Sequence, residues 1–176
     1  MKNLVWLTAL FTIAFAADSM AAGAKKLTVT KSVEVNAPAA QVWDKVHNFG
    51  DLGAWHPAVA KTEIVEGVNN ENGAVRMLTL QDGGKITEKL LDYNPKAMSY
   101  RYEIIESVLP VSSYVSTISV KPAGKGKAIA TWTGSFKRKD ISDHPAVGQD
   151  DEAAVKTITS VYQGGLDNLK KLVETK

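Results

Sequence analysis

Cysteine is absent from the 176 residues, and histidine occurs only three times. Without thiols the fold cannot be stapled by disulfides, and zinc sites built on thiolates are excluded. His47, His56 and His144, even with Asp51 and Asp143 nearby in sequence, match no zinc-ligand spacing, so neither a metal nor another cofactor is expected. A dominant charge is lacking too: 21 Lys and Arg stand against 19 Asp and Glu, a formal net charge of +2. That balance calls for neither nucleic acid nor an anionic membrane as partner, although a modestly basic surface can assist docking to an acidic protein. A GxSxG elbow and a phosphate-cradling glycine loop ahead of a helix are also missing, which removes the usual signatures of a serine hydrolase and a nucleotide-binding protein.

Long apolar runs are scarce. The chief one, Leu4 to Ala16, follows Lys2 and precedes the small residues Ser19 and Ala21, the pattern of a secretory signal cleaved after Ala21; Ala22-Gly23-Ala24 offers a second site. At about 13 residues the run falls short of the roughly 20 that span a bilayer. The expectations are a periplasmic location, no stable membrane insertion after cleavage, and one domain over residues 22–176. A composition of 44% hydrophobic and 23% charged residues can supply the burial that such a domain needs.

From Leu27 to Asn36, Leu27, Val29, Val33 and Val35 alternate with polar residues, which predicts a strand with one buried face. Pro38 suits the first turn of a helix, and Val42, Trp43 and Val46 share one side of the segment Ala39 to His47. Gly50, Gly53 and Pro57 then break the pattern, leaving a second short helix over Asp51 to Trp55. Six more strands follow at Val59–Glu66, Ala74–Leu80, Ile86–Tyr93, Met98–Glu106, Ser113–Val120 and Ala128–Lys137. Short turns join them, so the sheet is expected to be antiparallel and curled. From Asp150 to Val173 the period becomes helical, with Ala154, Ile158, Val161, Gly165, Leu169 and Leu172 on one face. Gly164-Gly165 costs this helix about 1 kcal/mol per glycine relative to alanine. Either close approach to the sheet or space for a ligand would offset it.

Candidate functional residues fall into three groups. Trp55-His56-Pro57 forms a corner that is a structural lid, a recognition element or the seat of a general acid–base histidine. Arg76 and Glu88 lie on the two arms of the Asp82-Gly83 hairpin. A two-residue loop points them to opposite sides, whereas a register offset by one sets them opposite each other, as a buried ion pair on the concave face or solvated charges on the convex one. Tyr100, Tyr102 and Tyr114 on adjacent strands are core packing or, in a cavity, hydroxyls that orient a guest.

The blocks VNAPAAQVWDKVHNFGDLGAWHPAV, GAVRMLTLQDGGKITEKLLDYNP, SYRYEIIESVLPVSSYVSTISV and YQGGLDNLKKL resemble the START-like superfamily of polyketide cyclases and lipid-transfer proteins. This resemblance implies an α+β helix-grip fold: a seven-stranded curved antiparallel sheet wrapped around a long C-terminal helix, with two short helices after strand one. It also implies a hydrophobic cavity whose mouth is bordered by Trp55, His56 and Pro57. More narrowly, the chain resembles the small periplasmic accessory proteins of bacterial methanol oxidation. That implies a non-enzymatic role in promoting contact or electron transfer between methanol dehydrogenase and its cytochrome c. A carrier of a small hydrophobic ligand or lipid, and a cyclase or dehydratase, are the other functions the superfamily offers.

Overall fold

Residues 24–175 are described by a computed structural model; the expected signal segment and its cleavage site lie outside them. The chain runs β1 (Leu27–Val35), α1 (Ala39–Val46), a 3-10 segment (Phe49–Ala54), β2 (Val59–Glu66), β3 (Val75–Leu80), β4 (Lys85–Asn94), β5 (Ser99–Ser107), β6 (Val111–Gly124), β7 (Lys127–Arg138) and α2 (Asp151–Glu174). The seven strands form one sheet in the order β1-β7-β6-β5-β4-β3-β2. Every pairing is antiparallel.

Alternation along the strands sets which face is covered. In β1, Leu27, Val29 and Val35 are buried while Thr28, Thr30, Ser32 and Glu34 are exposed. Their outward hydroxyls meet across the strand pair, Thr30 with Thr133 at 3.1 Å and Ser32 with Thr131 at 2.9 Å. The inward faces enclose α2, whose buried stripe is Ala154, Ile158, Tyr162, Gly165, Leu166, Leu169 and Val173. Asp150 caps that helix by accepting from Ala153 N–H at 2.8 Å, and Asp151 and Glu152 in its first turn suit the helix dipole.

Because β1 and β2 lie at opposite edges, the segment between them must cross the mouth of the curl. α1 and the 3-10 segment make that crossing and seal it with Val42, Trp43, Val46, Phe49 and Leu52. The 3-10 segment is interrupted at Asp51 (φ −142°, ψ 51°) and begins at Phe49, two residues before the expected second helix. Strand β6 is longer than its alternation predicts and includes two irregularities, between Ser112 and Val115 and between Pro122 and Gly124. Gly134, in the middle of β7, is required by packing, since a methyl group there would collide with the Tyr162 hydroxyl.

Candidate functional site

Hairpin geometry decides the first open question. Leu80 N–H donates to Gly84 O at 2.8 Å around a three-residue loop, with Gly83 at φ +85°. The loop is one residue longer than the two-residue form, so Arg76 stands directly opposite Glu88. Both face the helix, with side chains 0% and 5% exposed. Arg76 Nε donates to Glu88 Oε2 at 2.7 Å, and Nη1 donates to the Phe49 carbonyl at 2.6 Å. Nη2 lies 2.6 Å from Glu88 Oε2 but makes no aligned hydrogen bond, so that contact is Coulombic. The guanidinium carbon sits 4.1 Å above the Phe49 ring and 5.1 Å from the Tyr102 ring, which shields the charge with aromatic faces. Burial pushes the Glu88 carboxyl up, and Arg76 only partly pulls it back. Burial opposes the Arg76 charge as well, yet Glu88, Tyr100 and Tyr102 outweigh it and hold the guanidinium above its usual range.

Deeper in the grip, three strands, β5, β6 and β7, and α2 share one hydroxyl network. Tyr114 and Tyr162 hydroxyls are 2.6 Å apart, and Ser116 Oγ lies 2.8 Å from Tyr162 and donates to Thr133 O at 2.9 Å. Trp132 Nε1 donates to both Tyr102 Oη and Ser116 Oγ at 3.0 Å, and its indole stacks on Tyr162 with centroids 4.5 Å apart. Burial raises all the phenols, Tyr100 and Tyr162 to about 12 and Tyr102 and Tyr114 well above their ordinary value. They are therefore neutral donors and acceptors at physiological pH, not nucleophiles.

The Trp55-His56-Pro57 corner divides by residue. Trp55 and His56 are buried and Pro57 is exposed on the outside. His56 Nε2 lies 3.0 Å from the Val161 carbonyl, and its Nδ1 accepts from Ala58 N–H at 3.2 Å. Those two partners require the tautomer with the proton on Nε2. Burial pushes this imidazole below 6.5 more strongly than the Val161 carbonyl raises it, and Arg76 lowers it further. Asn168 Nδ2 donates to the Trp55 carbonyl at 2.8 Å, a second tie between corner and helix. His56 thus has the orienting partners that its sequence context did not reveal, and they are main-chain groups, invisible to any side-chain motif.

Gly165 decides between close approach and ligand space in favour of close approach. A Cβ there would stand 2.6 Å from His56 Cδ2 and 2.9 Å from Trp132 Cζ3, so the space above this glycine is occupied by the two rings rather than open to a ligand. Gly164, by contrast, has nothing within 4 Å of such an atom.

What remains inside is a cavity of about 70 Å³ with an almost wholly apolar wall. Among the sequence candidates, His56, Glu88, Tyr102 and Tyr114 line it; Trp55, Pro57, Arg76, Tyr100 and Gly165 do not. Trp132 and Val161 line it as well. The inward alternation of β7 and the apolar stripe of α2 were the signals available for those two. Among the described residues no group of three His, Asp or Glu could hold a metal, and no helix is long and apolar enough to cross a membrane.

A curled antiparallel sheet closed on a long terminal helix, with a small apolar cavity between them, defines a helix-grip protein. Residues 26–174 match the polyketide cyclase / dehydrase and lipid transport family, and the chain belongs to that family. XoxI from Bacillus cereus is similar to it at 31% identity, with a TM-score of 0.72 over 83% of this chain and 94% of its own. An uncharacterized protein from Bacillus thuringiensis is 30% identical, with a TM-score of 0.74 over 85% of this chain and 100% of its own. The Zhui aromatase/cyclase from Streptomyces sp. R1128 shares the fold, at 18% identity and a TM-score of 0.68, over 85% of this chain and 94% of its own. No curated protein matches the chain significantly.

Proposed function

We propose that the protein is a non-enzymatic periplasmic accessory protein that serves methanol oxidation by promoting contact, and hence electron transfer, between methanol dehydrogenase and its cytochrome c. The observation that carries the non-enzymatic part is the engagement of both ring nitrogens of His56 by main-chain groups, Nε2 with the Val161 carbonyl and Nδ1 with the Ala58 N–H. A general acid or base that already bonds the main chain has no free atom to offer a substrate without breaking those bonds. The methanol-oxidation part rests on the resemblance of the four sequence blocks and on the signal segment. Sedimentation of the purified protein with methanol dehydrogenase and with cytochrome c tests it: co-sedimentation with either supports the role, and independent migration of all three overturns it.

A second reading, the binding of a small apolar ligand, is favoured by the cavity itself. At about 70 Å³ it is far below the roughly 300 Å³ at which pockets for drug-sized ligands begin, which argues for a compact guest and against an acyl chain.

A further inference from the structure

The route into the cavity is written in the strand pairing. β5 and β6 are hydrogen-bonded from Ser99 opposite Ser119 to Glu103 opposite Val115, and there they part. Beyond that point β5 stays with β4, placing Ile104 opposite Glu88 and Glu106 opposite Thr87. β6 stays with β7, Val111 opposite Arg138, across an irregularity in which Ser113 takes φ +49°. The seam opens to the outside as a hollow of about 340 Å³ bordered by Ile104, Ile105, Ser107, Val111, Ser112 and Tyr114. Ile104 and Tyr114 also belong to the wall of the inner cavity, so a single layer of side chains separates the two spaces.

These two dividers differ in freedom. Tyr114 is buried and tied to Tyr162 at 2.6 Å. Ile104 is only half-buried and carries no polar tether; its χ1 is restricted, as in any β-branched residue, and its terminal methyl is free to swing about χ2. Past Ile104 the next inward side chain across the strand pair is Glu88, at a spacing of roughly 5 Å between Cβ atoms. Glu88 Oε2 receives both Arg76 contacts, while Oε1 has no hydrogen bond among the described residues, although the residue is 4% exposed and lines the cavity. A carboxylate oxygen without a donor inside a protein is a recognition element for a donor-bearing guest. A cavity of about 150 Å³ accepts benzene; one of about 70 Å³ accommodates about half as many heavy atoms.

We propose that the seam between β5 and β6 is the entrance to the inner cavity, that Ile104 is its gate, and that the guest is a compact molecule of a few carbons with one hydrogen-bond donor accepted by Glu88 Oε1. This rests on the small-ligand reading above and adds the route and the recognised group. NMR titration of the full chain, following the Trp132 indole N–H and the Ile86 methyl signals, tests it with three probes: xenon, 1-propanol and its donor-free isomer ethyl methyl ether. Xenon and 1-propanol are expected to shift both signals, with 1-propanol binding at least tenfold more tightly than the ether. Equal affinity of the two isomers would overturn the role of Glu88, and silence with all three probes would overturn the small-ligand reading itself. Ile104→Trp is expected to slow 1-propanol exchange at least tenfold and Ile104→Ala to speed it, whereas Pro57→Ala, at an exposed position outside the cavity wall, leaves it unchanged. Exchange unaltered in both Ile104 variants, or altered only by Pro57→Ala, would overturn the entrance while leaving ligand binding intact.

Discussion

Two adjacent glycines in α2 have opposite surroundings, and a methyl group distinguishes them. At Gly164 alanine meets no atom within 4 Å, so Gly164→Ala is expected to stabilise the protein by up to about 1 kcal/mol through helix propensity. At Gly165 the same methyl group would force His56 and Trp132 aside, and overpacking of this kind costs about 1–3 kcal/mol. Denaturant unfolding of the two variants should therefore give midpoints that move in opposite directions. Arg76 and Glu88 allow a comparable contrast. Glu88→Leu alone strands a buried guanidinium and should cost about 3–5 kcal/mol, whereas Arg76→Met with Glu88→Leu should recover most of that loss, because the desolvation penalty disappears with the charges. A double-mutant cycle in urea measures the difference. That the pair is buried could not be read from the hairpin signal: Asp82-Gly83 marks a turn equally well for two- and three-residue loops, and one residue decides which way Arg76 faces.

Elements are held together by main-chain acceptors as much as by apolar packing. His56 links the corner before β2 to the middle of α2 by donating from Nε2 to the Val161 carbonyl, and its second bond, accepted at Nδ1 from Ala58 N–H, needs the neutral ring. Its folded pKa lies below 6.5 through burial, so on acidification the unfolded chain takes up this proton before the folded one does. Stability is therefore expected to be flat above about pH 7.5 and to decline from about pH 6.5 downward, until the folded-state pKa is reached. His56→Gln should flatten that decline relative to the parent protein, a difference that thermal unfolding across the pH series would show. Sequence periodicity was a good guide to these elements. All seven strands and both ends of α2 fall within a few residues of their expected positions; most bury one face and the period reports it, whereas β2, in which only Val59 is buried, is marked by its flanking turns. Periodicity says nothing of the irregular turns at Asp51 and Ser113, where backbone geometry rather than side-chain burial sets the path.

At the scale of the whole molecule, the fold is a grip closed on its own helix. Tyr162, Trp132, His56 and the Arg76–Glu88 pair join the apolar side chains that fill the space between sheet and helix, and about 70 Å³ is left. A family resemblance anticipated the curled sheet and the cavity, but the degree of filling depends on which side chains meet across strands far apart in sequence, such as Ser116 and Tyr162. A protein so filled is suited to docking and to small guests. Under the proposed function the protein acts on its partners rather than on a substrate. Stopped-flow reduction of cytochrome c by purified methanol dehydrogenase, with and without a stoichiometric amount of the protein, tests this most directly. Reduction is expected to be faster with the protein present, and the protein alone is expected to oxidise no methanol; a rate unchanged across the whole concentration range would overturn the accessory role.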